Sequence, residues 1–129
     1  MTEAEATEML IAMGDVLATY LGLWVTSTFA YLTVAYFVGA KLSRFQNCAV
    51  SSLYIVAASS FALAALGHTD GFIELYQREV TVYRNIFFAE LLPYYLPGFA
   101  TIFVAGIFVS LYFMYNVRKE AEESGREQA

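Results

Sequence analysis

Three long stretches without a charged side chain divide this chain: Val16 to Ala40, Phe45 to Thr69 and Leu91 to Val117. They are 25, 25 and 27 residues long. A hydrocarbon layer of roughly 30 Å takes about 20 helical residues at ~1.5 Å each, so every stretch is long enough to cross it. The pattern therefore predicts an all-α membrane protein with three transmembrane helices, at 16–40, 45–67 and 94–117.

Local signals place the element ends. Thr2-Glu3-Ala4-Glu5 has the spacing of a capping box, so a helix is expected over 3–15, leading into the first span. Met9, Leu10 and Met13 lie on one face of it, opposite Glu5 and Glu8. Ser43 with Gln46 repeats the capping pattern after Lys41-Leu42-Ser43-Arg44. So short a connection makes spans one and two an antiparallel hairpin. Span two carries Ala49, Ser51, Ser52, Ala57, Ala58, Ser59, Ser60, Ala62, Ala64, Ala65 and Gly67. Small residues let helix backbones approach closely, so this helix is expected at the centre of the bundle.

Residues 70–92 break the pattern. Ile73, Tyr76, Val80, Tyr83 and Phe87 recur at helical spacing while Glu74, Gln77, Arg78 and Asn85 fall largely elsewhere. Asp70 reads as a helix cap and Pro93 as a stop. An amphipathic helix over 70–92, lying on the outer membrane surface or roofing the bundle, is the expectation. Pro97-Gly98 then redirects the chain into span three, where Gly98, Gly106 and Ser110 offer close contacts and Phe99 with Phe103 forms a stripe. Tyr20, Trp24, Tyr94 and Tyr95 mark one end of the spans; Tyr36, Phe37, Tyr112 and Tyr115 mark the other, as an aromatic belt does. The charged tail 118–129 lacks apolar spacing and is expected to be disordered.

Composition agrees with this placement, since 59% of the 129 residues are hydrophobic and the whole reads as one integral membrane domain, 1–129. The run that begins at Val16 follows an acidic segment and is longer than a signal-peptide core. Five of the seven basic residues, Lys41, Arg44, Arg118, Lys119 and Arg126, fall on one side if the N-terminus lies outside. A bacterial cytoplasmic membrane with the C-terminus inside is the expected location. The net charge of −5 speaks against nucleic acid as a partner.

Candidate chemistry is sparse. Counting outward from Ser43 brings Ser27 and Ser59 to one depth, joined by Thr26, Thr28, Ser60 and Thr101. Such a layer either lines a polar path or makes interhelical hydrogen bonds, each stabilising by roughly 0.6 kcal/mol. The same count faces Tyr31 with Tyr54, whose hydroxyls seek each other or the Ser/Thr layer. His68, Asp70 and Glu74 form an outer-face polar group, and His68 is the one histidine that could ligate haem or a metal. One ligand makes neither site, so no cofactor and no metal is expected. Cys48 has no base within helical reach, and no ionisable residue sits mid-span.

The chain is therefore expected to be no enzyme, but a non-catalytic bundle subunit or accessory component of a membrane complex. Its partners are the lipid bilayer and either copies of itself or other membrane subunits. The alternative is a homo-oligomeric channel or small-solute carrier that uses the Ser/Thr layer; behind it stands a haem- or metal-binding membrane subunit through His68.

Overall fold

The computed structural model describes residues 2–79 and 87–127. Three long helices make up the chain: α1 (Glu3–Val38), α2 (Arg44–Glu79) and α3 (Phe87–Glu127), with a short 3-10 turn at Gly39–Lys41 before α2. Each of the three is long and apolar enough to cross a membrane. No strand occurs among the described residues.

Both capping boxes form. The Glu5 amide donates to Thr2 Oγ1 at 3.2 Å, and the Thr2 amide donates to the Glu5 carboxylate at 2.8 Å. The Gln46 amide donates to Ser43 Oγ at 3.2 Å, and the Ser43 amide donates to Gln46 Oε1 at 2.9 Å. Each pair satisfies two amides that a helix start otherwise leaves open.

From the Ser43 turn, α2 runs back along α1. Tyr31 stacks on Tyr54, Tyr20 stacks on His68, and Met13 lies beside Gly71. Ala58, Ala62 and Ala65 are almost fully buried, so the small residues of α2 do bring its backbone close to its neighbours. Ala35 of α1 is also fully buried. Helix α3 packs on both members of the pair. Its C-terminal half presses on the turn, where a Cβ at Gly39 would stand 3.0 Å from the Met114 sulfur and 3.5 Å from Val117. Only glycine accommodates that approach without moving Met114.

Three expectations from the pattern change. First, no helix starts at Asp70: α2 continues unbroken from Arg44 to Glu79. Gly67 and Gly71 lower helix propensity by only about 1 kcal/mol each, and no proline intervenes. Ile73 and Leu75 are half-buried there while Asp70 and Glu74 are exposed. The Met13–Gly71 approach places this stretch beside the N-terminal extension of α1, where Ala6 is 5% exposed. Positions 80–86 of the expected 70–92 helix lie outside the described residues. Second, Pro93 does not end a helix: it lies within α3, which begins at Phe87.

Third, the charged tail is helical as far as Glu127. Arg118-Lys119-Glu120-Ala121-Glu122-Glu123 consists of strong helix formers, and Lys119 pairs with Glu123 one turn on at 3.8 Å. An exposed pair of this kind contributes little alone. The absence of apolar spacing says that the segment runs out of the bundle beyond its first turn, not that it unfolds.

Candidate functional site

The bundle interior is built from aromatic side chains set against small ones. Trp24 is buried between α1 and α3, edge-on to Phe103 at 5.0 Å between ring centroids. Phe103 continues through Phe99 to Tyr95 as a stacked ladder along α3. Gly106 makes the space for the indole: a Cβ there would fall 2.6 Å from Cη2 and 2.8 Å from Cζ2. Trp24 is thus a packing residue and not a member of an outward aromatic belt. Its indole N–H is buried without a hydrogen-bond partner among the described residues. Tyr36, Phe37, Tyr94, Tyr112 and Tyr115 do face outward.

Nearer the turn, the Tyr31 and Tyr54 rings stack 4.2 Å apart and 11° from parallel. Their hydroxyls diverge to different partners. Tyr31 bonds Ser51 Oγ at 2.9 Å, and Tyr54 lies 3.3 Å from Thr28 Oγ1. Thr28 already donates its proton to the Trp24 carbonyl, so the Tyr54 hydroxyl is the donor in that contact. Burying two phenols without such partners would cost free energy. Ser51 sits one turn before Tyr54 on the face toward α1, a spacing that could have flagged it in the sequence.

The hydroxyls expected to form a layer behave differently. Thr26 donates to the Gly22 carbonyl, Ser27 and Thr28 to that of Trp24, Ser60 to Val56 and Thr101 to Pro97. Each bond closes within its own helix, the local back-bonding open to Ser and Thr. Ser27, Thr28 and Ser59 are half-buried, whereas Thr26, Ser60 and Thr101 are exposed on the outside of the bundle. The six do not converge on one interior path. Of them, Thr28 is the one that reaches a neighbouring helix, through its contact with Tyr54.

His68, Asp70 and Glu74 are likewise not gathered together. His68 is half-buried and stacks on Tyr20 at 5.2 Å, while Asp70 and Glu74 are exposed on the continuous helix α2. Asp70 and Glu74 are one turn apart, and His68 falls on the far side of the helix from both. Among the described residues no group of three His, Cys, Asp or Glu is placed to hold a metal ion.

A cavity of about 200 Å³ opens among the three helices at the end of the bundle that carries the α1–α2 turn. Tyr31, Asn47 and Ser51 line it from the α1–α2 side; Arg118, Lys119 and Glu122 line it from α3. Arg118 Nη1 and Asn47 Oδ1 are buried there with no hydrogen-bond partner among the described residues. Sequence reasoning misses this grouping because Arg118, as the first charge after a long apolar run, reads as the start of a disordered tail. Helical phase carried on past Val117 returns Arg118 to the face of Met114 and Leu111, one turn and two turns back. No protein-family model, curated protein or solved structure matches this chain.

Proposed function

We propose that this chain is a non-catalytic, multi-pass membrane protein that serves as a helix-bundle subunit, assembling with copies of itself or within a larger membrane complex. One observation carries the reading: the bundle is apolar outside, and its interior is filled by stacked rings and small side chains. Phe29, Leu53, Leu63 and Phe108 each expose about two-thirds or more of their surface on the outer faces. In water such a surface would drive aggregation, whereas in lipid it is the expected solvent-facing side. Inside, the Tyr31 and Tyr54 hydroxyls are matched by Ser51 and Thr28. Thr26, Ser27, Thr28, Ser60 and Thr101 are satisfied by their own backbone, which favours packing over passage of solute.

In this reading α1, α2 and α3 cross the bilayer, with the N-terminus outside and the Arg118 end in the cytoplasm of a bacterial cell. The location of Lys41, Arg44, Arg118, Lys119 and Arg126 at one end supports that orientation. The helices outrun the hydrocarbon layer: 36 residues in α1 reach about 54 Å, against roughly 30 Å to be crossed. The first turns of α1 and the last turns of α2 then project together outside. The end of α3 projects inside. These projecting ends are surfaces that a soluble or membrane partner could engage.

Purification of the tagged chain in mild detergent after cross-linking in the membrane tests this role. The expected product is a defined multiple of the chain or a reproducible complex with another membrane protein. A strictly monomeric species with no co-purifying partner would contradict it.

A further inference from the structure

We propose that the cavity at the turn end of the bundle binds a phosphate-bearing anion, either the headgroup of an anionic phospholipid or free phosphate. About 200 Å³ is below the range of drug-sized pockets and suits one small polar group. Its lining offers several donors: the Arg118 guanidinium, the Lys119 ammonium, the Asn47 amide and the one hydroxyl proton that the Tyr31–Ser51 bond leaves free. The formal charge of the lining is positive, with Arg118 and Lys119 against Glu122. Among the described residues Arg118 forms no ion pair, whereas Lys119 is engaged by Glu123.

The shortage of partners at Arg118 is the decisive feature. A guanidinium nitrogen removed from water without a hydrogen bond is costly, and nothing in the described bundle offsets that cost. A phosphate oxygen answers it with a charge-assisted bond in the planar, forked geometry that arginine prefers. The Asn47 side chain, whose Oδ1 also lacks a partner, presents its amide donors to the same anion once turned over.

The placement also fits a headgroup. The cavity lies at the end of the spans that carries Lys41, Arg44 and Arg126. Basic pockets between helices on the cytoplasmic side are where anionic headgroups bind. The lipid source rests on the bilayer placement proposed above; the free-phosphate source does not.

Native mass spectrometry of the full chain tests the site, with phosphatidylglycerol, phosphatidylcholine and inorganic phosphate each titrated in a neutral detergent. The expected result is retention of phosphatidylglycerol or phosphate in preference to phosphatidylcholine. Arg118→Gln should weaken that retention by about tenfold, the size of one lost charge-assisted bond. Asn47→Leu should weaken it with every charge in place, while Arg126→Gln, which removes a charge outside the cavity, should leave it within about twofold. Retention of phosphatidylglycerol alone identifies the lipid, and retention of phosphate alone identifies the free ion. Equal losses in Arg118→Gln and Arg126→Gln would overturn the site in favour of a diffuse surface field. So would wild-type retention of neither anion; if that chain still needed detergent to leave the membrane, the bundle reading would survive.

Discussion

Trp24→Ala is expected to destabilise the folded bundle by about 3–5 kcal/mol, the usual cost of deleting a large buried aromatic side chain. The indole fills the seam between α1 and α3, meets Phe103 edge-on and rests over Gly106. Its removal opens a cavity that two rigid helices cannot collapse to fill. Trp24→Phe should cost far less, on the order of 1.5 kcal/mol, because the indole N–H has no partner to lose among the described residues. The same seam predicts a coupling. Gly106→Ala puts a methyl 2.6 Å from the ring and should cost about 1–3 kcal/mol alone. In the Trp24→Ala background that cost should vanish, since the clash has lost its second partner. Thermal unfolding in detergent, followed by circular dichroism, measures all four variants. Additive effects of Trp24→Ala and Gly106→Ala would remove the seam from the account.

Tyr54→Ala is expected to be similarly severe, about 3–5 kcal/mol, and Tyr54→Phe mild. The ring is 5% exposed and stacked on Tyr31, so truncation loses both its burial and an aromatic pair worth about 0.5–1.5 kcal/mol. Tyr54→Phe removes only the contact to Thr28, at 3.3 Å a weak bond, and should cost roughly 0.6 kcal/mol. Tyr31→Phe removes a shorter bond to Ser51 and should cost somewhat more, up to about 1.7 kcal/mol. The order Tyr54→Ala, Tyr31→Phe, Tyr54→Phe thus separates packing from hydrogen bonding at one site. If both phenylalanine variants were as damaging as the alanine variant, the hydroxyls and not the stack would hold the hairpin.

How much of this is legible in the sequence depends on whether a fixed origin exists for counting. The Ser43 turn supplies one. Nearly equal steps of helix rise away from it bring Tyr31 to Tyr54 and Tyr20 to His68, so the first pairing follows from residue numbers alone. No such origin links α3 to the other two helices. The sequence between the second and third apolar stretches offers no short capped turn from which to count, so the Trp24–Gly106 seam is out of reach. By its type and its position near a span end, Trp24 reads as an interfacial residue; a glycine on another helix decides otherwise.

Two boundaries fail for a common reason. Asp70 and Arg118 each mark where charge begins, and charge reads too easily as the end of the element. A helix leaving a bilayer has no need to stop there, because its backbone hydrogen bonds are internal. Charge reports the edge of the apolar layer, and only caps and breakers report the end of the helix. That distinction also hides the cavity, whose charged wall of Arg118, Lys119 and Glu122 lies beyond Val117. The hydroxyl layer is legible as a set of depths but not as a set of directions. Ser59 and Ser60 are neighbours in sequence, yet one is half-buried and the other faces out.

Cysteine accessibility in native membranes tests most directly the claim that these helices are solvated by lipid. With Cys48 replaced by serine, single cysteines are placed at Phe29, Leu63 and Phe108, and at Glu8 and Ser124 near the ends of the chain. In the isolated chain Phe29, Leu63 and Phe108 are 67%, 70% and 68% exposed, so the protein itself would shield none of them. In opened membrane fragments a water-soluble maleimide should label positions 8 and 124 and leave 29, 63 and 108 unmodified until detergent denaturation. Labelling of the three central positions as fast as the two ends would contradict the placement of all three helices.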